Sequence, residues 1–393
     1  MDMPFYGEKL TIKNIFEEET ELAPCASRTI SISSLAAAKA VMIASDYFRP
    51  LVGFHGIDDA ISICEKMKMV NNLFWPIPLL NIIRSVDGLE EGMTVNLRDP
   101  NYPNERILGK QYIETMHKLT ETEKIKIIES IFGTNHDSHP GVKTFRELGD
   151  YIIGGEITIK NYSYYREEFP DTFMTASEIR SKINEKGYKK IVAFQTRNPM
   201  HRAHEELCKI AMVETGSDAL LIHMLLGKLK EGDIPASVRD EAIRVMVGKY
   251  FKQNNVMVSG YGFDMLYAGP KEALLHAIIR QNCGCSFLII GRDHAGVGDF
   301  YTPFAAQEIF HSDLIRDSLK IKIFEADHTA YSNKLKRVVM MRDALDHKPE
   351  DFMLLSGTKV RSILEKGQSL PPEFARPEVA RVLGSYYRSK KSE

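Results

Sequence analysis

The stretch Gln195-Thr-Arg-Asn-Pro-Met-His-Arg-Ala-His204 is the most informative part of this chain of 393 residues. It follows the apolar run Ile191-Val-Ala-Phe194 and leads into residues 205–216, which have the pattern of a helix that ends at a glycine cap. A strand, a short polar turn and a helix place backbone N–H groups and the positive end of a helix dipole against a phosphate. The stretch therefore predicts an anion-binding turn, with His201 and His204 sharing one face at the helix start.

Apolar runs and helical patterns alternate on both sides of that turn. We predict strands at residues 190–194, 219–225, 255–261 and 286–290, and helices at residues 176–186, 237–251 (which Ser237 could cap) and 271–281. This alternation is typical of an α/β fold with a parallel, doubly wound sheet. Ligands bind such sheets beyond the carboxyl ends of the strands. A second loop, Gly291-Arg-Asp-His-Ala-Gly-Val-Gly298, follows the last of these strands, so we expect both loops at one edge of the sheet.

The two ends of the chain have a different pattern from its middle. Residues 1–168 alternate short apolar runs with Pro, Gly, Asn and Asp, which predicts a β-rich N-terminal domain with a few helices. Residues 169–322 form the predicted α/β domain. Residues 323–393 form a small α/β C-terminal domain, in which we expect one strand and helices, with Ser356 or Thr358 as a helix cap.

Composition excludes several classes of function. The net charge is −2, so no general attraction to nucleic acid is expected, and we predict no nucleic-acid partner. No run of apolar residues is long enough to span a membrane, and the N-terminus has no signal-peptide core. The 5 cysteines are odd in number and scattered, which favours reduced thiols and a cytoplasmic protein.

The first loop carries side chains that suit an oxyanion. Arg197 offers a planar fork of donors, and Gln195 and Asn198 add amide donors. His201 and His204 can donate to phosphate oxygens as neutral rings or as cations. Alone, each histidine would be read as a surface or core residue. A zinc pair is a further reading, although no nearby cysteine or well-spaced acid completes a set of four ligands.

The second loop adds donors and backbone freedom. Gly291 and Gly296 permit close approach to a ligand, and Arg292 and His294 supply donors that Asp293 can orient. By itself this would be an ordinary glycine-rich turn. The chain shows no readable catalytic nucleophile and no Walker A or Gly-x-Gly-x-x-Gly motif, which disfavours γ-phosphoryl and hydride transfer. The reaction class that remains is nucleotidyl transfer, in which the protein positions the substrates and stabilises the charge that develops.

Both loops resemble the two signatures of the ATP sulfurylase (sulfate adenylyltransferase) family. The matching stretches are residues 195–204, with the His-x-x-His element of the wider nucleotidyltransferase group, and residues 291–296. Three further stretches also resemble this family: Trp75-Pro-Ile-Pro78, Ser356-Gly-Thr-Lys-Val-Arg361 and Pro377-Glu-Val379. The resemblance implies a Rossmann-like nucleotidyltransferase domain, a PUA-like N-terminal domain and a stand-alone enzyme without a kinase domain. It implies the conversion of ATP and sulfate to adenosine 5′-phosphosulfate and pyrophosphate, with Mg²⁺ accompanying ATP.

The resemblance also implies roles for single residues. Sulfate would be held by Gln195, Arg197 and the backbone N–H of Ala295, and the reacting centre would be lined by Thr196, Arg197 and Asn198. His201 and His204 would bind phosphates. The implied ATP-binding residues are Gln195, Thr196, Arg197, Asn198, Gly291, Arg292, Asp293 and His294.

The remaining expectations concern zinc, the acceptor, the oligomeric state and the direction of the reaction. Some family members carry a zinc knuckle after a segment like Asp327-His-Thr-Ala-Tyr-Ser332, but here Ser332 stands where the first cysteine would be, so we predict no zinc. The protein could also be another adenylyltransferase of the same sheet type that acts on a different acceptor, or a non-catalytic nucleotide sensor or pyrophosphate-binding module. Homodimerisation is expected from the resemblance alone. The sequence shows neither the direction of the reaction in the cell nor which residues around positions 327–332 contact adenine.

Overall fold

The computed structural model describes residues 3–7, 15–16, 28–102, 104, 106–229, 233–251 and 255–390. The first cysteine, Cys25, lies outside these residues. The described chain forms three β-sheets, which follow one another along the sequence. The helices and strands are numbered below in chain order.

The N-terminal unit is β-rich, as predicted. Its strands in the described residues are β1 Arg28–Ser31, β2 Gly53–Phe54, β3 Asn81–Ile83, β4 Thr94–Arg98, β5 Ile107–Tyr112, β6 Thr115–Lys118 and β7 Tyr151–Ile159. Its helices there are α1 Ser34–Ala44, α2 Ile57–Lys66, α3 Glu121–Phe132, α4 Pro140–Arg146 and α5 Tyr165–Glu168. The strands make a sheet of order β1-β4-β5-β7-β2, and β3 and β6 also pair with β7. All of these pairings are antiparallel except β1 with β4.

The middle of the chain is the predicted parallel, doubly wound sheet. Its described strands are β8 Ile191–Thr196, β9 Ala219–Leu225, β10 Val256–Tyr261, β11 Phe287–Ile290 and β12 Lys322–Glu325. Its described helices are α6 Ala176–Glu185, α7 Arg202–Thr215, α8 Ala236–Tyr250, α9 Gly269–Asn282, α10 Ala305–Glu308 and α11 Asp313–Ser318. Neighbouring strands in the order β10-β9-β8-β11-β12 are all parallel. The order in which the chain adds strands to the sheet reverses between β8 and β11. That reversal is where sheets of this kind bind ligands.

Two local predictions in this unit are wrong. Helix α7 begins at Arg202, not after His204, so His201 is its N-cap residue and His204 lies inside its first turn. Ser237 does not cap α8, because that helix already begins at Ala236 and Pro235 stands at the N-cap. Pro235 fixes the backbone at the N-cap position and supplies no side-chain hydrogen bond to the helix. The helix therefore begins at Ala236, one residue before Ser237.

The C-terminal part is richer in strands than predicted. Its described elements are β13 Thr329–Ser332, β14 Arg337–Met340, β15 Phe352–Met353, α12 Gly357–Glu365 and α13 Pro377–Ser389. The three strands form a separate antiparallel sheet, so the expectation of a single strand is wrong. Ser356 caps α12 by accepting a hydrogen bond from the backbone N–H of Lys359. Since β12 completes the parallel sheet, we propose to end the middle domain after Glu325 rather than at residue 322.

The N-terminal unit packs against the parallel sheet through buried contacts. The hydroxyl of Tyr47 donates to the carbonyl of Met174, and Asn282 at the end of α9 donates to the carbonyls of Tyr47 and Arg49. Trp75 is fully buried in the core that the two units share. This packing fixes the parallel sheet against the N-terminal unit. The edge at the carboxyl ends of the strands remains for the site. Within the described residues, no helix is both long and apolar enough to cross a membrane.

Candidate active site

The two loops predicted to bind an anion meet in one cleft. The loop after β8 and the loop after β11 lie side by side, at the point where the strand order reverses. The cleft has a volume of about 310 Å³. It is lined by Phe194, Gln195, Thr196, Arg197, Asn198, His201, Ala203, His204, Leu207, Met265, Ile289, Gly291, Arg292, Asp293, His294, Ala295, Asp327, His328 and Thr329. The structure therefore brings together every residue to which the family resemblance assigns a role, while those individual roles remain proposals.

Arg197 lies between the two loops and has a hydrogen-bond donor that could bind a ligand. Its Nη2 donates to the carbonyl of Gly296 at 3.2 Å, and its guanidinium carbon lies 4.9 Å from the centre of the Tyr267 ring. In the part of the chain that the structure describes, its buried Nη1 has no hydrogen-bond partner. A buried donor without an acceptor costs about 1–3 kcal/mol. The arginine is thus held in place by its neighbours and has a donor left for an anion.

The rest of the first loop is fixed by short polar contacts. Thr196 Oγ1 accepts from the backbone N–H of Asn198 at 3.1 Å and donates to the carbonyl of the same residue at 2.8 Å. Gln195 Nε2 donates to the hydroxyl of Tyr261 at 3.2 Å. The side chain of Asn198 is exposed at the cleft. These bonds order the turn before a ligand arrives, which lowers the cost of binding.

His201 and His204 stand next to each other at the start of α7. Their ring centres are 3.9 Å apart. Each ring buries its Nδ1, and neither Nδ1 has a hydrogen-bond partner among the described residues. Burial lowers the pKa of His204 to about 4, and burial with the nearby His204 and His328 rings holds the pKa of His201 well below its ordinary value. Both rings are therefore neutral at pH 7. We assign the proton to Nε2 in each, because a buried N–H without an acceptor would cost more than a buried lone pair.

The second loop has a constrained backbone. Asp293 and Ala295 have φ values of 57° and 55°, which non-glycine residues adopt at a cost of about 1 kcal/mol each. The bend exposes Arg292, which donates from Nη1 to Asp293 Oδ2 at 2.7 Å. The carbonyl of Ala295 accepts from Gly269 at 3.0 Å, and its N–H has no protein acceptor in the described chain. Strain of this kind persists where a loop is held in a binding conformation.

Comparison with known proteins bears on what this cleft does. Residues 170–386 match the family model described as ATP-sulfurylase, which is more than half of the chain. This chain belongs to the ATP-sulfurylase family. Residues 6–162 match the model of a PUA-like domain, which confirms the character predicted for the N-terminal unit.

Relatives that match over most of their length agree with this membership, and a solved structure has the same fold. The chain is 52% identical to the sulfate adenylyltransferase of Alcanivorax borkumensis over 98% of this chain and 95% of that protein. It is 54% identical to the sulfate adenylyltransferase of Allochromatium vinosum over 92% of this chain and 91% of that one. The solved structure titled "Hexameric APS kinase from Thiobacillus denitrificans" superposes with a TM-score of 0.73 at 19% identity, covering 98% of this chain and 68% of that chain. At that identity the likeness supports the fold alone.

Several cleft residues of this ATP-sulfurylase family member escaped sequence reasoning. Met265 and Leu207 are apolar and carried no signal of a site. Tyr267, whose ring lies against Arg197, was missed too, because it lies in a stretch without a motif. Asp327, His328 and Thr329 line the cleft too, within the segment that resembled the region before a zinc knuckle. The adenine-contacting residues were expected around positions 327–332, but the sequence did not show which residues of that segment make the contact.

The C-terminal part holds the start of α7 in place. The ring of Phe374 stacks on His201 with centres 4.5 Å apart, and the carbonyl of Phe374 accepts from the backbone N–H of Arg202 at 3.0 Å. One turn on, the fully buried Glu205 accepts two hydrogen bonds from Arg376, at 2.9 and 2.8 Å. The geometry of the histidine pair thus depends on residues 374–376.

The pair of Glu205 and Arg376 makes a prediction about stability. Replacing Arg376 by alanine leaves a fully buried carboxylate whose one remaining salt-bridge partner in the described chain is Lys209. Since Arg376 is partly exposed, we expect a loss of about 2 kcal/mol in the free energy of unfolding, below the range for a fully buried pair. Thermal melting and protease resistance of the C-terminal part measure this.

The control is the more exposed pair of Lys249 and Glu378, which joins α8 to α13, whereas Glu205 and Arg376 join α7 to the start of α13. Lys249→Ala should change the free energy of unfolding much less than Arg376→Ala, because ion pairs in contact with solvent contribute little. Equal losses in the two variants would contradict a structural role for the buried pair.

The segment that resembled a zinc-knuckle region is held by hydrogen bonds. Ser332 Oγ lies 2.7 Å from His347 Nε2 and accepts from the backbone N–H of Leu335 at 2.9 Å. Across the described residues, no group of three or more His, Cys, Asp or Glu side chains is arranged to hold a metal ion. The hydroxyl therefore has a structural role in the hairpin of this ATP-sulfurylase family member.

Proposed function

We propose that this protein is a sulfate adenylyltransferase, which converts ATP and sulfate to adenosine 5′-phosphosulfate and pyrophosphate in a reversible reaction. The observation that carries the proposal is the single cleft in which Arg197, the histidine pair and the second loop converge, in a chain that belongs to the ATP-sulfurylase family. Adenylyl transfer of this kind needs donors placed around a nucleotide and a second anion.

Sulfate would lie against the first loop. Arg197 keeps an unpartnered donor, Gln195 presents an amide, and the N–H of Ala295 faces no protein acceptor among the described residues. A planar guanidinium with flanking N–H groups suits a tetrahedral dianion. Thr196 and Asn198 would then line the reacting centre, with their turn already ordered by the bonds between them.

The histidine pair would hold the phosphates of ATP. With Nδ1 buried, each ring donates from Nε2 into the cleft as a neutral group. Two such donors at the N-terminus of α7 add to the positive end of its dipole. As the bond to the α-phosphorus breaks, negative charge grows on the leaving pyrophosphate, and these donors stabilise it more strongly than they stabilise bound ATP.

The second loop would bind the rest of the nucleotide through Gly291, Arg292, Asp293 and His294. Mg²⁺ would arrive with ATP, since it is commonly held by substrate phosphates and only one or two carboxylates. The residues fit this use, because Asp293 and Asp327 are carboxylates that line the cleft. Bound there, Mg²⁺ would neutralise phosphate charge.

The proposed chemistry is an in-line displacement. A sulfate oxygen attacks the α-phosphorus, a new O–P bond forms, and the bond from that phosphorus to the bridging oxygen of the pyrophosphate breaks. Sulfate is a dianion at neutral pH, so no general base is needed to remove a proton from it. Because sulfate attacks directly, no covalent enzyme intermediate is part of the proposal.

A pyrophosphate-release assay tests the proposal. We expect release that requires both ATP and sulfate, and consumption of ATP when selenate or molybdate replaces sulfate. Release that is independent of sulfate, or that needs another acceptor, would point to a different adenylyltransferase. Binding of ATP with no turnover under any of these conditions would point to a nucleotide sensor.

Three further expectations belong to this proposal. We propose a cytoplasmic enzyme, supported by the four described cysteines, Cys64, Cys208, Cys283 and Cys285, none of which forms a disulfide. We propose a homodimer, which light scattering at several concentrations measures. We also propose that no nucleic acid is bound, in keeping with the net charge of −2.

A further inference from the structure

Helix α9 carries a polar stripe inside the protein. Glu272, His276 and Arg280 are spaced by four residues, so they lie on one face of the helix, and all three are fully buried. Polar groups this deep are retained where they have partners. None of the three belongs to either loop of the cleft, and the proposed reaction does not use them.

Glu272 holds the turn behind Arg197. Its Oε1 accepts from the backbone N–H of Leu266 at 3.1 Å and its Oε2 accepts from that of Ala268 at 3.0 Å. Tyr267, between them, has a φ of 63°, which a tyrosine adopts only when its surroundings impose it. The guanidinium of Arg197 lies over the ring of this tyrosine. A carboxylate two contacts away from the anion site therefore sets where the arginine lies.

His276 holds the second loop. Its Nδ1 lies 3.0 Å from Nε2 of His294, and the two rings meet edge to face at 81°. Its own Nε2 lies 3.7 Å from Glu272 Oε1, which is too far for a hydrogen bond. Burial, followed by the charges of Arg280 and Arg197, lowers the pKa of His294 to about 3, and burial holds the pKa of His276 well below its ordinary value. In the neutral pair one ring donates and the other accepts, and either arrangement fixes the plane of His294.

We propose that Glu272 and His276 are positioning residues of the adenylyl-transfer site, one for each wall of the cleft. Glu272 acts through Tyr267 on Arg197 and so on sulfate, while His276 acts through His294 on the nucleotide. The assignment of the two substrates rests on the proposed function. One rigid, buried helix thereby sets the spacing between the two walls, and such spacing decides how well two bound anions are aligned for attack.

The two residues make separable predictions for steady-state kinetics. In His276→Leu the hydrogen bond to His294 is lost, and we expect the KM of ATP to rise about fivefold to tenfold with little change in the KM of sulfate. His276→Asn places an amide near the former position of Nδ1, and it should restore much of that loss. In Glu272→Gln one acceptor for the turn is lost, and the KM of sulfate should rise instead.

A matched control separates positioning from general destabilisation. His55 is also buried, in the N-terminal unit, where its Nδ1 accepts from the backbone N–H of Leu79 at 2.8 Å, and it lines none of the cleft. His55→Leu should lower the melting temperature and leave both KM values within about twofold of wild type.

Direct titration of ATP in a calorimeter makes the outcome independent of turnover. If wild type binds ATP but transfers nothing to sulfate, the proposed function fails, and the weaker ATP binding of His276→Leu still tests the positioning role of His276. Wild-type ATP affinity in His276→Leu, or loss of affinity that Asn does not restore, would overturn that role. An unchanged KM of sulfate in an active, folded Glu272→Gln enzyme would overturn the role of Glu272.

Discussion

Replacing Arg197 by alanine is expected to abolish sulfate-dependent pyrophosphate release while the fold survives. Among the described residues that line the cleft, Arg197 is the one cation with a buried donor that has no hydrogen-bond partner. Loss of a preorganised donor to a developing charge costs about 10²- to 10³-fold in turnover, and loss of a whole guanidinium should reach the upper end, about 4 kcal/mol. Its structural contacts are one hydrogen bond to Gly296 and the ring of Tyr267, so the melting temperature should change little.

Two further variants make this result specific. Arg197→Lys keeps the charge but loses the planar fork, and we expect it to stay severely impaired. Arg166→Ala removes an exposed arginine that pairs with Glu178 and lines none of the cleft, and its activity should match wild type. Normal turnover in Arg197→Ala would rule out the assignment of this residue to sulfate and to the reacting centre.

The topology of the middle domain could be predicted from the sequence because its signals are local. Four of the five strands of the parallel sheet are apolar runs with a helical pattern on either side, and the two loops follow two of them directly. Adjacent parallel strands end at the same edge, so the convergence of residues 195–204 with residues 291–298 followed from their positions after strands. The fold class and the composition of the cleft were therefore accessible.

The features that could not be predicted from the sequence depend on tertiary contacts. The start of α7 at Arg202 is fixed by the carbonyl of Phe374, which lies more than 170 residues further along the chain. Strands β13, β14 and β15 are four, four and two residues long, too short to show a clear alternation. Glu272 and His276 lie on a helix whose other residues are mostly apolar, and nothing in their spacing distinguishes a residue that orders a loop from a satisfied core residue.

Replacing His204 by alanine is expected to lower kcat at least tenfold, about 1.4 kcal/mol of transition-state stabilisation or more. The neutral ring buries Nδ1 and leaves Nε2 for a phosphate oxygen, so alanine removes a donor that strengthens as charge moves onto pyrophosphate. His204→Gln carries an amide nitrogen close to the former Nε2 and should recover part of the rate. His204→Asn, whose shorter amide does not reach, should not.

The double variant His201→Ala/His204→Ala distinguishes a cooperating pair from two independent donors. Because the ring centres are only 3.9 Å apart, both side chains reach the same group of phosphate oxygens, and removing one changes how the other is held. We therefore expect the two losses in kcat to be non-additive, with a coupling energy above about 0.5 kcal/mol. Additive losses would mean that the two rings serve separate phosphates. A higher KM for ATP with kcat untouched in His204→Ala would instead mean that this ring binds ground state and transition state equally, and its proposed role in stabilising the leaving group would be wrong.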